Sequence, residues 1–124
     1  MSEKRVDTFR LQNIAQGFGR SAALMSAVEL GIFTAIDDGA NTTGTAAAAV
    51  DIHPVNAERL LIMLTAMELV HRLDDGTYAN ADDVDRFLVE GKKSYAGPWI
   101  LFNKPQWDDW GRLTDHLRAM DLKI

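Results

Sequence analysis

Cysteine is absent from this 124-residue chain, and so is any long hydrophobic run. Without cysteine the protein has neither a disulfide framework nor a thiolate metal site. The longest apolar runs are only a few residues, whereas a bilayer-spanning helix needs about 20, so we predict no membrane contact. No charged and then apolar leader stands at the N-terminus. We therefore expect a cytoplasmic protein.

A net positive charge is also missing. The chain has 18 acidic against 13 basic residues, which gives a formal net charge of −5. This balance argues against binding nucleic acid chiefly through its phosphates. The remaining composition, 47% hydrophobic and 25% charged, is that of an ordinary globular protein. Its length suits one domain over residues 1–124.

The N-terminal third predicts two helices. Residues 20–30 are rich in good helix formers, and Gly31 is a typical helix end. Gly17 and Gly19 weaken the preceding stretch and divide it from this helix. A short apolar turn is expected at residues 32–36. Apolar side chains at three- and four-residue steps give the first helix a stripe that needs a partner: Val6, Phe9, Leu11, Ile14 and Phe18.

The middle of the chain predicts two helices and a β-hairpin. An alanine-rich helix over residues 46–50 is capped near Thr43 or Thr45, and Pro54 suits the first turn of the next helix. That second helix is apolar nearly all round as far as residue 69, which indicates that another chain covers part of its surface. Two short strands then flank an Asp-Gly turn at residues 74–76. Asn80 is expected to cap a helix over residues 82–89 that ends at Gly91.

Two helices followed by a hairpin are typical of a winged helix-turn-helix domain. The fold class predicted is therefore mainly α, with a small β-hairpin. This order invites a DNA-binding interpretation with residues 54–70 as the recognition helix. The charges oppose it, because Arg59 lies beside Glu58 and the hairpin tip carries Asp74 and Asp75. A winged-helix regulator or ligand sensor remains the alternative interpretation.

The last third of the chain is rich in aromatic residues, and all three tryptophans lie there. Their spacing fits one face of a final helix. Two interpretations stay open, namely packing in a core or between subunits, and the wall of a pocket for a flat apolar ligand. The predicted helix face comprises Trp107, Trp110, Leu113, Leu117 and Met120.

Residues for catalysis are hard to assemble. The three histidines, at positions 53, 71 and 116, lack the short spacing of a metal site. Asp108, Asp109 and Asp115 lie near His116 in sequence, yet neighbouring residues on one helix point apart. Neither a serine nucleophile motif nor a glycine-rich phosphate turn is present. We expect no catalytic residue, no metal and no bound cofactor in this chain.

Several segments together resemble the N-terminal dimerisation domain of S-adenosylmethionine-dependent small-molecule O-methyltransferases. Trp107, Trp110, Leu113 and Arg118 look like the linking helix of that family. The resemblance covers the chain from about Phe9 to Met120. The segments that carry it are Ser21-Ala22-Ala23-Leu24, Ala27-Val28-Glu29-Leu30-Gly31-Ile32-Phe33, Arg59-Leu60-Leu61, Met67-Glu68-Leu69-Val70 and Asp75-Gly76-Thr77-Tyr78.

The resemblance implies an intertwined homodimer in which N-terminal helices of one subunit cover the substrate pocket of the other. The chain would be a dimerisation and substrate-lid module for methyl transfer to a hydroxyl of an aromatic or polyketide-like molecule in secondary metabolism. The family's catalytic Rossmann-like domain is absent from this sequence, so we expect no activity from the chain alone. Expected partners are a second copy, an aromatic small molecule and a separate catalytic methyltransferase domain, with S-adenosylmethionine the cofactor of the parent enzyme.

Two sets of residues follow as expectations. The substrate-facing set comprises Phe9, Trp99, Phe102 and Trp107. The dimer-interface set comprises Phe9, Ile14, Phe18, Leu24, Val28 and Leu64.

Overall fold

A computed structural model describes residues 5–119 of the protein. This part of the chain is mainly helical and contains one two-stranded antiparallel sheet, which confirms the predicted fold class. Within residues 5–119, one 3₁₀ turn, here called η1, precedes the two C-terminal helices. The elements are α1 (Phe9–Ala15), α2 (Gly17–Leu30), α3 (Ile32–Asp37), α4 (Thr43–Val50), α5 (Pro54–Ala66), β1 (Val70–Arg72), β2 (Tyr78–Asn80), α6 (Asp82–Phe87), α7 (Gly97–Leu101), η1 (Lys104–Gln106), α8 (Trp107–Gly111) and α9 (Leu113–Arg118).

The predicted C-terminal boundary of α2 is confirmed, but its predicted start is wrong. The helix begins at Gly17 rather than at residue 20, so Phe18, which the pattern places on the first helix, lies in α2. α1 and α2 are separated at Gln16, just before the glycine pair. α2 ends at Gly31, whose φ of 81° lies in the left-handed region that glycine adopts without strain. The apolar turn expected at 32–36 is instead a short helix, α3, because Ile32, Phe33 and Ile36 enter the core on one side of it.

The start of α4 differs from the sequence prediction. The N-cap is Thr42 rather than Thr43 or Thr45. The Thr45 backbone N–H donates to Thr42 Oγ1 at 3.1 Å, and the Thr42 N–H donates to Thr45 Oγ1 at 3.0 Å. These reciprocal bonds form a capping box, in which Thr45 is the second member and not the cap.

α5 begins as Pro54 predicts. Its N-cap is His53, whose Nδ1 accepts a hydrogen bond from the Val55 N–H at 3.1 Å. At the other end, Glu68 takes a left-handed φ of 60°. The Leu69 N–H donates to the Leu64 carbonyl and the Glu68 N–H to the Thr65 carbonyl. This pair of bonds is a Schellman motif, which ends the helix three residues earlier than the apolar pattern alone predicts.

The hairpin is confirmed, with β1 and β2 paired in the register Val70↔Asn80 and Arg72↔Tyr78. Asp75 stabilises the turn, since its carboxylate accepts hydrogen bonds from both the N–H and the hydroxyl of Thr77. The expected role of Asn80 is wrong. Asn80 ends β2, its amide donates to the Phe33 carbonyl at 2.9 Å, and α6 follows Ala81 with no side-chain cap.

The core lies between α2, α3, α4, α5, the hairpin and α6. α5 buries one face, which contains Ala57, Leu61 and Leu64, and exposes Ile62 on the opposite face. Hence the helix is apolar on two faces, but residues 5–119 cover only one of them. The largest fully buried side chains are Phe33, Ile32, Leu61, Leu64, Val70 and Val84.

The aromatic C-terminal segment is not one continuous helix. α8 ends at Gly111, and Arg112, with φ −109° and ψ 23°, interrupts the helical backbone before α9 begins. The prediction of a single final helix is therefore wrong, and Met120, part of its expected face, lies outside the described residues. Within residues 5–119, none of the helices combines the length and apolar character that a bilayer span requires.

Candidate interface and ligand-binding surface

α1 is an amphipathic helix without a covered side. None of its residues is buried, and its main packing neighbour is α2. Phe9 is 67% exposed and Ile14 is 66% exposed, while Phe18, at the start of α2, is 70% exposed. A helix of seven residues is too short to be stable alone in water. The stripe predicted to need a partner surface thus has none within the described part of the chain.

The six expected interface residues fall into three groups by their exposure. Phe9, Ile14 and Phe18 lie on the exposed N-terminal surface. Leu24 is partly buried against the core. Val28 and Leu64 are buried by side chains of the same chain. These last two positions differ from the expectation, because the core of one chain already covers them and leaves no surface for a partner.

An open cleft of about 610 Å³ lies between α2 and α8. Phe18, Ser21 and Met25 form the α2 wall, and Trp107 and Trp110 belong to the opposite wall. A volume of this size suits a small organic ligand. Since large aromatic faces favour stacked or edge-on contacts with other rings, the cleft favours a flat apolar molecule. We refer to it below as the aromatic cleft; Asn103 and Gly111 complete its lining.

A smaller recess of about 340 Å³ adjoins the aromatic cleft. Met25 and Trp107 line both spaces. In the smaller one, Lys104 Nζ donates to both carboxylate oxygens of Glu29 at 2.6 Å. This ion pair joins η1 to α2 next to the aromatic wall.

The four expected substrate-facing residues do not come together. Trp107 lines the aromatic cleft. Trp99 and Phe102 lie on α7 and its C-terminal cap, with ring centroids 6.4 Å apart, and line a separate recess with Pro98. Phe9 lies on α1 and lines none of these three spaces.

The sequence pattern does not place the apolar α2 residues in a pocket. It predicts Phe18 only at the interface and does not single out Met25, whereas Trp110 belongs to the aromatic segment for which a pocket wall is one of the two interpretations. The signal in the sequence was weak, because Phe18 and Met25 lie more than 80 positions before the tryptophans. Only the packing of α8 beside α2 brings the two walls together.

One acid and one histidine are closer than expected. The break at Arg112 places Asp109 Oδ1 3.5 Å from His116 Nε2 and 3.4 Å from the Arg112 guanidinium. The argument that neighbouring side chains point apart is therefore wrong for Asp109 and His116. This cluster contains no nucleophile, and no group of three potential metal ligands occurs within residues 5–119.

The described residues do not fit S-adenosylmethionine. A methyltransferase of the Rossmann type holds this cofactor at a glycine-rich turn between a parallel strand and a helix. Here the sheet has two antiparallel strands of three residues each. The glycines with positive φ, among them Gly31 and Gly76, serve a helix end and the hairpin turn instead.

The face that a winged-helix protein would present to DNA is acidic at its tip. Asp74 and Asp75 are exposed in the hairpin turn, and on α5 the exposed Arg59 has exposed Glu58 beside it. Carboxylates at these positions repel phosphate groups.

Comparison with known proteins identifies the fold family. The model of the O-methyltransferase dimerisation domain matches residues 12–90. The tetracenomycin polyketide synthesis 8-O-methyl transferase TcmO of Streptomyces glaucescens is 33% identical over 112 residues, covering 90% of this chain and 33% of TcmO. The N,N-dimethyltransferase OxyT of Streptomyces rimosus is also 33% identical, over 110 residues, covering 87% of this chain and 31% of OxyT.

The same similarity extends to a solved structure. PigF, solved with SAH, is 25% identical in sequence to this chain, and the two structures align with a TM-score of 0.82 over 93% of this chain and 38% of PigF. The chain thus spans about a third of the length of the relatives it matches. The matched segment includes the residues 21–33, 59–61 and 67–78 that carry the sequence resemblance. The chain belongs to the O-methyltransferase dimerisation domain family.

Proposed function

We propose that residues 1–124 form the dimerisation and substrate-lid domain of an S-adenosylmethionine-dependent O-methyltransferase. The observation that carries this proposal is the unpartnered apolar surface of α1 and the start of α2. Large exposed apolar patches on a folded domain mark interaction sites. A second copy is the partner that the family membership favours, and pairing through the same patch on both copies is the commonest form of homodimer.

The aromatic cleft supports the lid role. Its walls hold Phe18, Met25 and two tryptophans, so it can cover one face of a planar ring system. The name of TcmO gives a polyketide pathway and methyl transfer to oxygen, which supports an aromatic or polyketide-like substrate with a hydroxyl acceptor. Three of the expected substrate-facing residues lie outside the aromatic cleft. They would contact substrate only if the dimer or a further domain brings them beside the cleft: Phe9, Trp99 and Phe102.

The cofactor would be held elsewhere. PigF has been solved with SAH, and the described residues here contain no turn that fits such a ligand. In the proposed enzyme, a separate catalytic methyltransferase domain therefore binds S-adenosylmethionine, supplies the catalytic base and carries out the methyl transfer. Residues 1–124 supply subunit pairing and part of the substrate enclosure.

The pairing is tested by the molar mass of the protein in solution. Light scattering after size exclusion should give a dimer at micromolar concentration. Ile14→Asp should produce a monomer, because it places a charge in the centre of the α1 stripe. Leu73→Asp is the matched control, since Leu73 is an exposed apolar residue in the hairpin. A monomeric wild-type protein, or equal effects of both variants, would contradict the proposed interface.

The lid role is tested by binding. Titration with 2-naphthol should quench tryptophan emission, while calorimetry with S-adenosylmethionine should give no binding heat. Saturable cofactor binding at micromolar concentration would refute the division of roles proposed here. The winged-helix regulator predicts a different result, a mobility shift of a DNA fragment that falls steeply with salt. Because the hairpin tip is acidic, we expect no such shift for this protein.

A further inference from the structure

The segment that carries the two cleft tryptophans has little anchorage in the core. η1, α8 and α9 contain no buried residue. The main packing neighbours of α8 are η1 and α9, which adjoin it in the chain. Burial in the core therefore does not fix the distance between α8 and α2, and other contacts must set it.

An ion pair lies at this junction. Lys104 and Glu29 are 75 positions apart, yet Lys104 Nζ lies 2.6 Å from both Oε atoms of Glu29. Lys104 is the first residue of η1, three positions before Trp107. Glu29 lies four positions after Met25, on the same side of α2. The ion pair thus connects η1 to α2 about one helical turn away from the Met25 and Trp107 side chains.

The Glu29–Lys104 ion pair contributes little to the free energy of folding because it is exposed. Both side chains are close to half exposed, and exposed ion pairs add little to protein stability. The pair can nevertheless affect ligand binding through the position of Trp107 relative to α2. Dispersion contacts weaken steeply with distance, and a gap of about 0.5–1 Å removes a quarter to a half of the attraction between two atoms. A small shift of Trp107 away from α2 would therefore loosen contacts to a ring held between them.

We propose that Glu29 and Lys104 act as a positioning clamp that sets the width of the aromatic cleft for a planar ligand. The clamp acts through Trp107 and does not touch the ligand. This inference rests on the ligand-binding role proposed above for the cleft. It predicts that breaking the pair weakens binding of a flat aromatic molecule while leaving the fold in place.

The binding test uses 2-naphthol, a neutral planar phenol, so that the charge of Lys104 does not itself attract the probe. Lys104→Met and Glu29→Gln should each weaken binding about two- to fivefold, which is the range available to an exposed ion pair. The exchanged double variant, Glu29→Lys with Lys104→Glu, should recover wild-type affinity within about twofold. The control is Lys92→Met, which removes an ion pair with Asp85 whose residues line none of the three recesses described. Equal losses in the control, or no loss in either clamp variant, would overturn the proposal.

A second readout needs no ligand. In protein labelled with 5-fluorotryptophan, the ¹⁹F resonance of Trp107, assigned with Trp107→Phe, should shift in Lys104→Met and stay unchanged in Lys92→Met. If wild-type protein fails to bind 2-naphthol but this shift occurs, the ligand role fails and the clamp stands. An unchanged Trp107 resonance in Lys104→Met would overturn the clamp whatever the binding result.

Discussion

Leu64 and Ile62 offer a direct test of the fold, because they lie two positions apart on α5 and have opposite environments. Leu64 is 0% exposed, and Ile62 is 59% exposed. Shortening Leu64 to alanine removes three carbon groups from the core, worth about 2.4 kcal/mol at about 0.8 kcal/mol each. The unfilled cavity adds to this, so the loss in unfolding free energy should lie between about 2 and 5 kcal/mol.

The same truncation at Ile62 should cost much less. Less than half of that side chain is covered, and its removal opens no enclosed cavity, so we expect a loss of about 1 kcal/mol or less. Leu64→Met is a second control, because a swap that nearly conserves volume usually costs under about 1.5 kcal/mol. The expected order of stability is wild type, Ile62→Ala and Leu64→Met close together, and Leu64→Ala well below them.

Urea unfolding followed by far-ultraviolet circular dichroism measures these differences, provided that the slope with denaturant is unchanged between variants. The series should be repeated at several protein concentrations. Loss of a core contact lowers stability at every concentration, whereas loss of a subunit contact makes the effect depend on concentration. A loss under about 0.5 kcal/mol for Leu64→Ala, the level of surface sites, would refute the placement of α5.

Two further predictions concern the backbone and the charges. Glu68→Gly should stabilise the protein by up to about 1 kcal/mol, because glycine adopts the left-handed φ of this position freely; thermal unfolding measures the change, and Glu58→Gly, inside α5, should destabilise it by about 1 kcal/mol. The hydrogen bond from Lys92 holds the pKa of Asp85 below its ordinary value. The stability contributed by this pair is therefore present above the ordinary aspartate pKa and lost as the pH falls through the lowered one. An NMR titration of the Asp85 carboxyl should show its pKa rising in Lys92→Met, and an unchanged midpoint would contradict the assigned pairing.

The sequence predicted those elements whose signals are local. The Asp-Gly turn, the left-handed Gly31 and the first-turn Pro54 depend on backbone preferences of a few adjacent residues. Asn80 was misassigned because its partner, the Phe33 carbonyl, lies 47 positions away. A residue type that suits a helix cap can be used just as well by a distant carbonyl, and only the tertiary arrangement decides between the two.

The candidate site was predictable in composition but not in arrangement. Aromatic enrichment after residue 95 indicated a packing or binding surface. Helical spacing then placed Trp107 and Leu117 on one continuous face, yet the break at Arg112 divides that face between two short helices. No proline lies within residues 107–113 to predict a stop, and neither α8 nor α9 contains a buried residue. Periodicity alone cannot locate such a break, since it records which residues are apolar and not what they pack against.

The division between core and exposed surfaces explains why pairing can be examined without unfolding the domain. Phe33, Leu61 and Leu64 close a core in which no residue of α1 is buried. Changes on α1 should therefore remove the proposed contacts to a second copy, while the apolar surface buried within each chain stays the same. Stability and association should consequently respond to different substitutions, Leu64→Ala for the first and Ile14→Asp for the second. That separation is what a domain needs if it folds on its own core and then offers α1 to a second copy.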